Sequence, residues 1–136
     1  KVERDAMFPQ PSAEPPQPSN FASLMNAKTT LITTDDYDVF GDGTVVIKAS
    51  TGHTPGHNVL YVKLGKTGGV VLAGDLYHYP EERTLNRRPG TDFDEAQTGR
   101  SREALDVFLK QTSSQLWIQH DLVAHRKLKK APAYYD

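Results

Sequence analysis

Thr51-Gly52-His53-Thr54-Pro55-Gly56-His57 is the stretch that decides how the remaining residues are read. The ring of Pro55 fixes one φ angle, Gly56 admits backbone conformations closed to other residues, and His57 follows directly, so the segment is a stiff turn that holds an imidazole still. Strand-like runs flank it. Before it, Thr44 to Ala49 is rich in β-branched residues and enters from the tight Gly41-Asp42-Gly43 turn. After it, Asn58 to Leu64 alternates Val59, Tyr61 and Lys63 on one face with Leu60, Val62 and Leu64 on the other. The turn from Gly65 to Gly69 returns the chain into the apolar run Val70 to Ala73, which ends in Gly74-Asp75. Such a hairpin sets the residue before its first strand beside the residue after its second, which brings His57 and Asp75 to one sheet edge. A third buried-strand pattern, Leu116 to Gln119, ends in His120-Asp121. Each feature alone has an ordinary structural reading as a turn, a cap or a hydrogen-bonded histidine. Together they put a His, an Asp and a His at three strand ends, a donor set suited to a zinc-type ion.

In this order, His53-Thr54-Pro55-Gly56-His57, then Gly74-Asp75, then Gln119-His120-Asp121, the sequence resembles the C-terminal half of the metallo-β-lactamase superfamily. Within it the N-acyl homoserine lactonase group is the nearest likeness, strongest from about Asp36 to Asp136. The resemblance implies an α+β chain whose residues 1–136 are the C-terminal portion of a single metallo-hydrolase domain. The complete domain is an αββα sandwich, two stacked sheets with helices on their outer faces. It further implies that His57 serves one metal ion, Asp75 bridges two and His120 serves the other, with His53 ordering the loop by hydrogen bonding. A complete domain would hold two Zn2+ or other divalent ions. The first metal motif of the superfamily, H-x-H-x-D-H, is absent from these residues, so an N-terminal half carrying it is expected as a partner.

The implied activity is that of a hydrolase in which a metal-bound hydroxide opens an ester-like bond, foremost a lactone of the N-acyl homoserine kind, as in quorum quenching. The chain alone is expected to be inactive. Two other readings stand beside this one: a non-catalytic binding module of the same fold, and hydrolysis of a thioester, β-lactam or phosphodiester. Members of the lactonase group carry D-x-x-Y after the bridging Asp; here that position is His78, between Tyr77 and Tyr79. One of these three leans over the metals and hydrogen-bonds the substrate, or they pack under the rim. Tyr77 and His78, with Asp75, are the candidate catalytic residues. They open the long irregular stretch from Leu76 to Thr91, expected to form the active-site rim.

The chain has 136 residues, 37% apolar and 24% charged, which suits one globular domain with a real core. A net charge of −1 gives no basis for binding nucleic acid or a membrane surface. With no cysteine, disulfides and thiolate metal sites are excluded and the strong ligands are His and carboxylate. No signal-peptide pattern occurs, and no run approaches the roughly 20 apolar residues of a membrane span. Because the sequence opens on Lys1, the translated product is expected to begin earlier; localisation stays open, with the cytoplasm favoured.

Of the remaining segments, residues 1–8 are weakly helical, and 9–18, with five prolines, reads as an extended surface loop. Ser19 or Asn20 caps a short helix from Phe21 to Ala27, followed by strands at Thr29 to Thr33 and Asp36 to Phe40. A helix starting at Asp92 or Asp94 runs through Lys110 with Leu105, Phe108 and Leu109 as its buried stripe. Arg126 to Lys130 reads as a solvated helix face, and His125 as a surface residue or a support for a ligand. Half of a sandwich leaves the inner face of its sheet, including residues of Val45-Val46-Ile47 and Val70-Val71-Leu72, without a second layer. Self-association and weak metal retention are therefore expected of these residues alone.

Overall fold

The period-two pattern of Asn58 to Leu64 builds the centre of the sheet. The computed structural model describes Asp5, Phe8 and residues 21–136; the proline-rich stretch 9–18, the cap at Ser19 or Asn20 and most of the segment 1–8 lie outside the described residues. The chain divides into two units, residues 1–34 and 35–136. Within the first, the expected helix from Phe21 to Ala27 is only a 3-10 turn, Ala22–Leu24, closed by the Leu24 amide donating to the Phe21 carbonyl at 2.8 Å. Thr29 to Thr33 forms no strand despite its β-branched composition, because a strand exists only where it finds a partner.

The second unit carries one sheet of five strands in the order β1-β2-β3-β4-β5: β1 Asp36–Asp38, β2 Val45–Ala49, β3 Asn58–Leu64, β4 Gly68–Leu72 and β5 Gln115–Trp117. The first four run as an antiparallel meander, with Tyr61 opposite Val46 and Val71, and Leu60 opposite Ile47 and Leu72. β5 joins β4 in parallel, Leu116 opposite Val71 and Trp117 opposite Leu72. A parallel neighbour needs a long crossover, and here it contains two helices, α1 Pro80–Thr84 and α2 Glu95–Thr112. A third, α3 Leu122–Lys127, follows β5. Among the described residues no helix is long and apolar enough to cross a membrane.

α2 forms where the sequence predicts it. The Asp94 carboxylate accepts the Gln97 amide at 2.8 Å, satisfying one of the helix's unpaired N–H groups, and Ser113 closes the other end at φ 52°. Leu105 and Leu109 are buried against Val59, Val71, Leu76 and Tyr77, with Phe108 edge-on to Tyr61 at 5.2 Å. At about 1.5–3 kcal/mol for each large apolar side chain removed from water, this cluster is the main attachment of helix to sheet. It uses the Val59 and Tyr61 face of β3. The opposite face is half-buried at Tyr37, Val45, Ile47, Leu60 and Val62 but covered at Val70, which is 2% exposed, and none of these belongs to the cluster. At one end of the sheet the C-terminal tail folds back: Tyr135 packs on Trp117 at 4.9 Å, and the Asp136 carbonyl accepts the amides of Lys66 and Thr67.

The stretch from Leu76 to Thr91 is less irregular than its sequence suggests. A 3-10 turn spans Gly74–Leu76, and Pro80 starts α1, where its fixed φ and missing N–H fit the first helical turn.

Candidate metal centre

The loop after β2 is seated on the first turn of α2. Gly52 has φ +133°, and a Cβ there would collide with the backbone and hydroxyl of Thr98, so glycine is required both for conformation and for close approach. The seat is closed by two hydrogen bonds, from the Asp94 amide to the Gly52 carbonyl at 2.9 Å and from the Phe93 amide to the His53 carbonyl at 3.2 Å.

The two histidines of this loop use their nitrogens in opposite ways. His57 donates from Nδ1 to the Ser50 carbonyl at 2.9 Å, and its Nε2 accepts the Asp75 amide, also at 2.9 Å. Both ring nitrogens therefore tie backbone to backbone across the strand ends. His53 instead pairs through Nδ1 with Asp92 Oδ1 at 2.9 Å, and its Nε2 faces Asp75 Oδ2 at 3.8 Å. The expected convergence of His57 and Asp75 on one edge is present, but in this arrangement His57 meets the Asp75 backbone and His53 meets its carboxylate. Gly74, φ +54°, makes the first of these contacts feasible: a Cβ there would stand 2.7 Å from His57 Nε2.

Asp75 presents one oxygen to each side. Oδ1 accepts His120 Nε2 at 2.6 Å while Oδ2 faces His53. The His120 hydrogen bond holds the Asp75 carboxyl below the ordinary carboxylate range, against the opposing effect of partial burial, and the nearby His53 acts in the same downward direction. His120 arrives from the loop after β5 and is half exposed. His78 completes the group: ligand-capable atoms of Asp75, His78 and His120 all lie within 4.8 Å of one another. Its ring stands 5.2 Å from that of His120 and 5.3 Å from that of His53.

The neighbours of His78 separate. Tyr77, expected near the substrate, is 2% exposed, belongs to the core cluster and lies under the Arg102 guanidinium at 4.3 Å. The alternation of the extended backbone after the 3-10 turn explains this correction, since Tyr77 points inward and His78 outward. Tyr79 is exposed, and His125 sits on exposed α3 beside Lys130, 3.2 Å from its Nζ. Three further residues bear on the site without having been marked for it: Asp92, Glu82 and Arg102. For Glu82 the available signal was Pro80, which begins a helical turn and thereby folds Glu82 back toward His78.

The donor chemistry fits a zinc-type ion. At Zn–N and Zn–O distances of about 2.0–2.2 Å, tetrahedral donors stand about 3.3 Å apart, so atoms spaced from 2.6 Å to within 4.8 Å need only small side-chain adjustments. Asp92 supplies a second observation. Its side chain is fully buried, Oδ1 meets His53, and Oδ2 has no hydrogen-bond partner. A buried carboxylate so sparsely paired is costly unless its histidine carries positive charge or donates to a cation, the arrangement in which a carboxylate orients a metal-binding imidazole. An open apolar groove of about 730 Å3 along Leu116, Trp117, Ala124 and Leu128 has none of these donors in its lining.

No family model matches the chain. Curated relatives do: the N-acyl homoserine lactonase AttM of Azorhizobium caulinodans is 36% identical over 102 residues, covering 75% of this chain and 39% of that protein. AttM of Agrobacterium fabrum is 34% identical over 105 residues, with 74% and 38% covered. Among solved structures, an N-acyl homoserine lactone hydrolase with N-hexanoyl-L-homoserine at its catalytic metal center matches with a TM-score of 0.66 and 25% identity, over 74% of this chain and 39% of that one. A quorum-quenching N-acyl homoserine lactone lactonase matches equally, at 0.66 and 26%. The chain spans about two fifths of the length of the relatives it matches. In sequence and in fold the chain is therefore similar to N-acyl homoserine lactonases, which have a metallo-β-lactamase fold, and the match falls in their C-terminal part.

Proposed function

We propose that this chain is the C-terminal portion of a metal-dependent hydrolase that opens the ester bond of a lactone, with an N-acyl homoserine lactone as the substrate class. The observation that carries the reading is the convergence of Asp75, His78 and His120, with His53 at the free oxygen of Asp75, in a chain similar to proteins named for that activity. Asp75 would hold metal through its carboxylate, which has one oxygen toward His120 and one toward His53. His53, backed by Asp92, takes the ligand role first expected of His57, and His57 holds the backbone of the two strand ends in register. A complete site would hold two ions and would need donors beyond those of this chain.

A bound zinc-type ion lowers the pKa of water toward neutrality and polarises a carbonyl. The chain's own residues hold the donors rigid: the Gly52 seat on α2, the Asp92 bond to His53 and the His57 bond to the Asp75 amide each remove a rotation before substrate arrives. The test is metal analysis of the intact protein followed by a panel of lactones, thioesters and β-lactams, with Asp75→Ala alongside. Lactone opening is expected in the parent and not in Asp75→Ala. The variant should lose only about 0–1 kcal/mol of stability, because the carboxylate is nearly half exposed. Activity within a few-fold of the parent at full metal loading would remove Asp75 from the site.

A further inference from the structure

We propose that Glu82, locked by the buried Arg102, is a positioning residue that makes His78 an additional metal donor on the His120 side of Asp75. This rests on the functional reading above and deepens it by saying what holds His78 as a donor, a carboxylate carried on α1.

Glu82 is buried and collects three donors. Its Oε2 accepts the His78 amide at 3.1 Å and Arg102 Nη2 at 2.7 Å, and its Oε1 lies 3.2 Å from His78 Nδ1. Arg102, 5% exposed, also donates from Nε to the Leu76 carbonyl at 2.9 Å and from Nη1 to the Arg87 carbonyl, and its guanidinium covers the Tyr77 ring. Arg102 therefore cannot swing away without abandoning several partners, and Glu82 cannot move without Arg102.

As a device for stability alone, this is a poor arrangement: desolvating two charges costs several kcal/mol per ion, and packed apolar side chains in the same volume often do as well. What the pair accomplishes lies at its far end. A carboxylate can only accept, so the proton shared with His78 sits on Nδ1, and in the neutral imidazole the lone pair is then left on Nε2. An imidazole with one nitrogen donating to a carboxylate and the other free is the form that binds a metal ion. The same tautomer is the wrong one for a neutral imidazole donating a proton from Nε2 to substrate. Pro80 fixes the geometry locally, because starting α1 there sets Glu82 within its first turn and aims it back at His78.

The experiment uses the intact protein with 15N-labelled histidine, loaded with zinc, and reads the imidazole nitrogens by long-range proton–nitrogen correlation, with His78→Gln identifying the His78 signals. We expect His78 to show a protonated Nδ1 and an Nε2 shifted to the metal-bound range. Glu82→Ala is expected to weaken zinc binding about 10–100-fold, and Glu82→Gln, which keeps an accepting oxygen, to recover part of the loss. An Nε2 that resonates as a free imidazole nitrogen at full zinc loading overturns the proposal, as does unchanged zinc affinity in a folded Glu82→Ala. Should Glu82→Ala not fold, the spectrum of the parent decides alone. Zinc binding and lactone opening with His78 unbound would defeat this inference only; a parent that binds no zinc would defeat the functional reading with it.

Discussion

His53 and His57 sit four positions apart in one rigid turn, and their different partners give them different work. Replacing His57 by Ala strips a bond from the Ser50 carbonyl and another from the Asp75 amide, and stranding such groups costs about 1–3 kcal/mol. His53→Gln keeps a donor for Asp92 and should change stability far less, while lowering the metal content of the purified protein. Urea midpoints with elemental analysis on both variants check this; the reverse pattern would return the ligand role to His57. The resemblance gave the ligand role to His57 and the loop-ordering role to His53, while the local sequence does not separate them, since each follows a glycine in the same turn. What distinguishes them is a backbone acceptor at Ser50 and a carboxylate 39 residues further on. Tyr77 is another residue whose role turns on its surroundings. Burial, with Asp106 adding to it, raises its phenol above the ordinary value near 10. The folded protein then keeps the proton while the unfolded chain releases it, so the stability this group contributes is intact below about pH 10 and is lost as pH rises toward the folded value. Tyr77→Phe should flatten the decline in stability between about pH 9 and 11; parallel decline in parent and variant would show that Tyr77 does not set it.

Among the elements, legibility followed length and pattern. The bounds of β3 agree with its alternation to the residue, because one face must meet α2 and a shift by one would turn every side chain over. α2 was legible from its Asp94 cap and its Leu105, Phe108 and Leu109 stripe. The edge strands β1 and β5 are three residues each, shorter than the runs that suggested them, since pairing on one side only leaves their ends unsupported. α1 went unread because five residues are too few to show a period. It is nevertheless the element that carries Glu82 to His78, so the least legible piece of secondary structure is the one that shapes the least expected part of the site.

At the scale of the whole molecule, the sheet has one face committed to α2 and one half-buried face formed by Tyr37, Val45, Ile47, Leu60 and Val62. Apolar side chains left half-buried on neighbouring strands form an association surface. Residues 1–136 expressed alone should therefore show a sedimentation coefficient that rises with concentration. A single monomeric species across the accessible range, with a cooperative thermal transition, would mean that the face is already adequately covered.

The parallel seam between β4 and β5 carries a consequence for how the site holds together. His120 and Asp75 are 45 residues apart, and the three-residue β5 is what returns the chain to the Asp75 edge. Closing a loop of that length costs ~3 kcal/mol of chain entropy from its length alone. Three register pairs, the Ala73 amide bond to the Trp117 carbonyl and the packing of α2 on the sheet together offset it. Fraying of this short seam releases His120 from Asp75 in the same event, whereas the meander that holds His53 and His57 can stay zipped. The donors thus divide between the meander and the parallel seam, and a cation spanning both would act as a rivet on a seam of only three register pairs.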